Sequence, residues 1–329
     1  MRRRYRGGVS RSSGGEPGGE GAWPASVGAC NWSLAGERGC AQLELAGGDR
    51  GRAQLELAGG GVGQYSGEHK LESDLKLHYH EMGVGPTVLI LHGLFGSGDN
   101  WTSIGRALED EYRVVLADLP NHGSSPHIAE NDYVTLADAV AEFIAASEEG
   151  GIRVVGHSMG GKVAMALALR HPELVERLVV LDIAPKRYEA SHLQILDAMA
   201  AVERERPTTR AEADRVLAEN GVDAAAVRAF LLKSYRGGGA NGDGWKLNVS
   251  AIRERYDDIL DWPDPAPEGY RVPVTVLYGE RSGYVEEADR ERFEALFSEV
   301  TMECVPGAGH WLHAEKPQKV VELLRNALA

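Results

Sequence analysis

The sequence has no apolar run approaching the roughly 20 residues that a membrane-crossing helix needs, so no membrane span is expected. It has little positive charge. Lys and Arg number 35 against 49 Asp and Glu, a net charge of −14, and no basic stripe stands out. Nucleic acid, whose binding rests on neutralising phosphates, is therefore excluded as an expected partner. Cysteine is scarce as well. Cys30, Cys40 and Cys304 form no C-x-x-C pair, so no zinc ribbon, redox motif or other metal site is expected. Unpaired thiols suit a reducing compartment, and a cytoplasmic location is expected. "MRRRYRGGVS" has the charge of a signal peptide but no apolar region after it, and is not read as one.

What is present is uneven along the chain. Residues 1–66 hold 17 of the 41 glycines and repeat "AQLELAGG" at 41–48 and 53–60. Two copies are too few for a solenoid, and such a segment gains little from ordering. It is read as a flexible extension.

From residue 67 the pattern changes. "LKLHYH" (75–80) alternates like a strand, and "TVLIL" (87–91) reads as a buried one. A helix at 101–109, the strand "YRVVLAD" and a helix at 134–147 follow. Then come the strand "IRVVG", a helix at 159–171 and the strand "LVVLDIA". This alternation implies an α/β fold with a mostly parallel central sheet and helices on both faces. Residues 191–262 are mostly helical, around the loop "RGGGANGDG". Alternation resumes with "VPVTVLYGE", a helix at 286–297, the strand "TMECV" and a helix from Pro317. The expected organisation is an α/β core at 67–185 and 269–329, with a helical cap inserted at 186–268.

Between "IRVV" and the next helix stands Gly156-His157-Ser158-Met159-Gly160. This is G-x-S-x-G in the strand-to-helix setting that the motif requires. The tight turn lifts the Ser158 hydroxyl above the sheet edge. It also leaves the Met159 N–H at a helix N-terminus, able to stabilise developing negative charge. A hydroxyl needs a base, and His310 in "GAGHWLHAEKP" follows the last strand in the right chain order. A second oxyanion donor is expected at Leu94, in "HGLFGSGDNW" directly after "TVLIL". Asp118 and His122, in "DLPNHGSSP", are read as local hydrogen-bonding residues.

These segments carry a likeness. The chain from Leu75 to Leu328 resembles the α/β-hydrolase fold superfamily, with "HGLFG", "GHSMGGK", "LDIAP" and "GAGHWLHAEKP" in family order. More narrowly it is similar to the YbfF-like bacterial esterases and their mitochondrial abhydrolase relatives. The resemblance implies a serine hydrolase that needs no cofactor and acts on small carboxylic esters or acyl thioesters. The sequence departs from many members where an acid usually follows "TVLYGE", since Ser282 and Gly283 stand there. Asp182 in "VVLDIAP" is then the expected acid, with Glu280 as its rival. A haloalkane dehalogenase or epoxide hydrolase would need a carboxylate at position 158. A carbon–carbon bond hydrolase, a perhydrolase and a ligand-binding member without activity stay open. Phe95, His157, Phe230, Tyr235 and Trp311 are the expected substrate-binding residues. Leu231 and Leu232 lie on the same cap segment.

Overall fold

The computed structural model describes residues 55–57, 61–63, 75–147, 150–238, 244–263 and 270–329. The chain separates into two units, Met1–Glu72 and Ser73–Ala329. In the first, β1 (Leu55–Leu57) and β2 (Gly61–Gly63) form an antiparallel pair. The expected flexible extension, with Cys30 and Cys40, otherwise lies outside the described residues.

The second unit is built on a seven-stranded sheet. Its strands are β3 (Tyr79–Met82), β4 (Thr87–Leu91), β5 (Arg113–Ala117), β6 (Ile152–His157), β7 (Val175–Leu181), β8 (Tyr270–Gly279) and β9 (Phe297–Val305). Their order is β3-β5-β4-β6-β7-β8-β9, with β3 antiparallel to its neighbour and every other pair parallel. The apolar runs are explained by burial on both faces. In β4, Leu89 and Leu91 enter one core while Val88 and Ile90 enter the other. In β7, Leu178 and Val180 face the first core and Val179 and Leu181 the second. Successive side chains of a strand point to opposite faces, so each apolar run feeds two cores. Helices α2 (Tyr133–Ala145) and α3 (Met159–Arg170) cover the first face through Leu136, Val140, Val163 and Leu167. The second face is covered by α1 (Thr102–Leu108) and, near the C-terminus, the helix Pro317–Leu328, through Ile104, Leu108, Val320 and Leu324.

Between β7 and β8 the described residues contain no strand of the sheet. They form α4 (Leu193–Glu205), α5 (Arg210–Glu219), α6 (Ala225–Leu231), α7 (Val249–Glu254) and α8 (Tyr256–Leu260). Leu196, Met199, Val202, Val216 and Leu217 join the same apolar cluster as α2 and α3. The middle of the expected "RGGGANGDG" loop, 239–243, lies outside the described residues.

Three element boundaries differ from expectation. The first strand of the sheet is Tyr79–Met82 rather than 75–80. The His78 N–H donates to the Ser125 hydroxyl at 2.8 Å and its carbonyl accepts from Asp118 N at 2.8 Å. The loop after β5 therefore claims the backbone groups that a ladder would use. The helix expected at 101–109 begins as a 3₁₀ turn, Gly98–Trp101, before α1. That expected at 286–297 is a 3₁₀ turn, Glu287–Asp289, followed by α9 (Arg290–Leu296), and Phe297 already belongs to β9.

Candidate active site

The G-x-S-x-G segment turns sharply between β6 and α3. Ser158 has φ 53° and ψ −122°, a conformation that L-residues avoid. Backbone packing makes the flanking glycines necessary. A Cβ on Gly156 would lie 2.3 Å from the Gly160 carbonyl oxygen, and one on Gly160 would lie 2.4 Å from that of His92. The Ser158 N–H donates to Leu181 O at 2.9 Å, tying the turn to the end of β7.

Residues from three strand ends meet there. His310, in the loop after β9, places Nε2 3.0 Å from Ser158 Oγ. Its Nδ1 lies 2.7 Å from Asp182 Oδ2. Asp182 follows β7, is fully buried and has φ 52°. Its other carboxylate oxygen accepts the Gly279 N–H at 3.0 Å, and Oδ2 also accepts the Ser282 hydroxyl. Glu280 points elsewhere: its carboxylate accepts Gly307 N at 2.7 Å. Of the two acids weighed from sequence, Asp182 touches the imidazole.

The His310 loop is braced from behind. His157 Nε2 donates to the His310 carbonyl at 2.9 Å. Burial holds the His157 imidazole well below its usual pKa, with His313 and His310 adding to the effect, so it stays neutral. The Glu315 carboxylate accepts Gly309 N at 3.0 Å and pairs with Arg281 at 2.9 Å.

The loop after β4 approaches from the other side. A Cβ on Gly93 would meet His157 Nδ1 at 2.9 Å and Ser158 Cβ at 3.2 Å, so glycine allows this close approach. Phe95 has φ 64°, and Gly96 N closes the turn on Gly93 O at 3.0 Å. Among the described residues the Leu94 N–H has no acceptor. Met159 opens α3, where the first N–H groups have no intrahelical partner.

Above Ser158 is a cavity of about 1220 Å³, lined mostly by apolar side chains. Phe95, Phe230, Leu231 and Trp311 are on its wall, with the rings of Phe230 and Trp311 5.7 Å apart. His157 also reaches it, although its Nε2–H is spent on His310. Tyr235 does not. Its ring packs on Trp245 at 4.9 Å and its hydroxyl donates to Pro207 O at 2.6 Å, so it belongs to the interior of the helical insertion. Leu232 is likewise off the wall.

A family profile described as alpha/beta hydrolase fold matches residues 86–317. The chain belongs to the α/β-hydrolase family. It is 35% identical over 252 residues to the sn-1-specific diacylglycerol lipase ABHD11 of Mus musculus, covering 74% of this chain and 81% of that one. It is 33% identical over 243 residues to the esterase YbfF of Escherichia coli, covering 73% and 92%. Among solved structures, a marine microorganism esterase superposes with a TM-score of 0.73 at 35% identity, covering 77% of this chain and all of that one.

In this α/β-hydrolase several site neighbours have no sequence signal of their own. Ser282 was legible only as a departure from a family pattern, yet its hydroxyl meets the Asp182 carboxylate. Tyr284 stacks on His310 with centroids 3.9 Å apart. Lys162, buried inside α3, gives its ammonium to the carbonyls of Leu260 at 3.1 Å and Asp261 at 2.6 Å, at the end of α8. It also lies 4.8 Å from the Tyr188 ring centroid and 5.2 Å from that of Tyr133. Burial lowers its pKa to about 7, against the pull of Asp261. Asp118 and His122 make local bonds. Asp118 accepts Gly98 N and Ser124 N, each at 2.8 Å, and His122 Nδ1 lies 2.9 Å from Pro120 O.

Proposed function

We propose that this α/β-hydrolase is a serine carboxylesterase acting on small, short-acyl esters, with Ser158, His310 and Asp182 as its catalytic triad. The observation that carries the reading is the unbroken chain from Ser158 Oγ to His310 to Asp182 below an apolar cavity. His310 Nε2 takes the Ser158 proton as Oγ attacks the ester carbonyl. The tetrahedral oxyanion is held by the N–H groups of Leu94 and Met159. The protonated imidazole then gives its proton to the leaving alcohol. Water enters along the same path and attacks the acyl carbonyl as His310 takes its proton; the imidazolium then returns a proton to Ser158 Oγ as the acyl–oxygen bond breaks and the acid leaves. Asp182 holds the imidazole tautomer and offsets the charge that forms on it. Its own orientation is supported by Gly279 N and the Ser282 hydroxyl.

Residues 186–268 act as a cap, from which Phe230 and Leu231 wall the acyl pocket together with Phe95 and Trp311. The serine at position 158 argues against epoxide and haloalkane chemistry, which needs a carboxylate nucleophile. We read its location as the cytoplasm; the exposed thiol of Cys304, which has no disulfide partner among the described residues, supports this. Among the described residues no helix is long and apolar enough to cross a membrane.

The test is Ser158→Ala with a panel of p-nitrophenyl esters and acyl-CoA thioesters. Activity should fall by several orders of magnitude, as about 10⁶-fold is lost when such a nucleophile is removed from a serine protease. Circular dichroism should stay unchanged, and a fluorophosphonate probe should label Ser158 alone. Substantial residual esterase activity would overturn the reading.

A further inference from the structure

The residue before the nucleophile carries a polar side chain that the triad does not use. His157 ends β6, and alternate residues of a strand share a face. It therefore points to the same side as Val155, towards the second core, where Trp101 also lies. Its ring centroid is 6.0 Å from that of Trp101 and 4.8 Å from that of His313, and only 4% of the residue is exposed.

This buried ring meets three separate parts of the site. Its own backbone runs directly into Ser158. Its Nε2 lies 2.9 Å from the carbonyl oxygen of His310 itself. Its Nδ1 faces Gly93, where a Cβ would come within 2.9 Å of Nδ1 and 3.4 Å of Cε1. Gly93 shares a peptide unit with the Leu94 N–H, and its carbonyl is fixed in turn, accepting His92 Nδ1–H at 2.9 Å and Gly96 N at 3.0 Å.

The tautomer follows from these contacts. A carbonyl oxygen only accepts, so Nε2 of His157 carries the hydrogen. Burial keeps the ring neutral, which leaves Nδ1 bare and able to sit close against the Gly93 backbone. Asp182 fixes the imidazole of His310, and His157 fixes the backbone that carries it. Such spacing matters because a misplacement of about 1 Å can cost about 100-fold in rate.

We propose that His157 is a positioning residue that sets the spacing of nucleophile, base and oxyanion loop, rather than a residue that binds substrate. The proposal rests on the esterase reading above.

The experiment measures kcat and KM for p-nitrophenyl butyrate, and the rate at which a fluorophosphonate labels Ser158. It uses the full-length wild type, His157→Gln, His157→Asn and His157→Phe. The glutamine amide can place an N–H where Nε2 stands. The asparagine amide stops at the Nδ1 position, and phenylalanine fills the space of the ring without a donor. His157→Gln should keep kcat close to that of the wild type. His157→Asn and His157→Phe should lose about tenfold in kcat, the value of one hydrogen bond, with KM little changed and labelling slowed in proportion. A KM that rises while kcat holds is the mark of lost substrate binding and overturns the proposal. So does an equal loss of kcat in all three variants, or a loss in none, when circular dichroism and melting temperature are retained. The wild type provides a test that needs no variant. Heteronuclear NMR of its imidazole nitrogens at pH 7 should show His157 as the neutral Nε2–H tautomer, and an Nδ1–H tautomer overturns the proposal while leaving the esterase reading intact. If the wild type neither hydrolyses p-nitrophenyl butyrate nor takes the fluorophosphonate label, the esterase reading fails and the positioning role falls with it.

Discussion

The phenol ring of Tyr284 lies flat on the imidazole of His310, with centroids 3.9 Å apart and planes 18° from parallel. The Tyr284 carbonyl accepts the Tyr188 hydroxyl at 2.7 Å, and that hydroxyl accepts Ala184 N at 2.8 Å. The stacked ring is thereby anchored to the loop that carries Asp182. A flat π-face against an imidazole limits its rotation. Tyr284→Phe should keep kcat near that of the wild type. Tyr284→Leu should lower kcat by about fivefold, since about 1 kcal/mol of stacking is removed, with KM little changed. Steady-state kinetics checks this, and an unchanged kcat for Tyr284→Leu would count against a positioning role.

Asp182 and Glu280 differ in what they touch, and mutation should separate them. Asp182→Asn should lose about 10⁴ in kcat, as the comparable change does in a serine protease. Glu280→Gln should stay close to the wild type, because its carboxylate braces only the Gly307 backbone. Ser282→Ala removes one bond to the Asp182 carboxylate and should cost about tenfold in kcat. The reverse ranking of Asp182→Asn and Glu280→Gln would overturn the acid assignment alone.

Buried histidines should make the fold acid-sensitive. Burial holds His122 at about 3 and His313 at about 4, both below the usual value of 6.5. Between those values and 6.5 the unfolded chain binds protons that the folded chain refuses. Stability is therefore full above pH 6.5 and falls as pH drops, by up to about 1.4 kcal/mol per pH unit for each such histidine. His313 stacks on Trp101 at 4.3 Å, so His313→Phe preserves the packing. Urea melts at a series of pH values from 4 to 7 should show a shallower acid limb for this variant. An unaltered slope would contradict the argument.

Lys162 acts on the opposite side of neutrality. Its folded pKa of about 7 lies below the usual 10.5, so from about pH 7 upward the unfolded chain holds the extra proton. Stability should rise with pH across this window. The contribution is fully present above pH 10.5 and is lost as pH falls through 7. Burial raises the pKa of Tyr133 and Tyr188, which opposes the rise above about pH 10, so the clean interval is pH 7 to 9.5. Lys162→Met should flatten the rise. It should also loosen α8, because the carbonyls of Leu260 and Asp261 lose their donor. Denaturation between pH 7 and 9.5, with hydrogen exchange in α8, measures both effects.

Much of the architecture can be read directly from the chain because it is local. The apolar runs of β4 and β7 mark strands buried on both faces, and the break in alternation after β7 marks a helical insertion. The elbow is legible for the same reason. Its glycines answer to backbone atoms at most a few residues away or at the end of the adjacent strand, as the Gly156–Gly160 approach of 2.3 Å illustrates. Parallel strands deliver their carboxyl ends together, so chain order and the elbow motif made Ser158, Asp182 and His310 the expected trio at one sheet edge, with Glu280 left as the rival acid.

Tertiary structure decided the rest. Ser282 reaches Asp182 across 100 residues, Lys162 reaches Asp261 across 99, and His192 reaches Tyr256 across 64. No spacing rule links such pairs, because the intervening elements set their approach. Tyr235 and Phe230 sit on one short segment, yet one ring enters the cavity and the other packs inside the insertion. Tyr235 lies just past the 3₁₀ turn Leu232–Ser234, in extended backbone with φ −96° and ψ 124°. Helical spacing from Phe230 therefore does not fix where the Tyr235 ring goes; its packing on Trp245, ten residues further on, does.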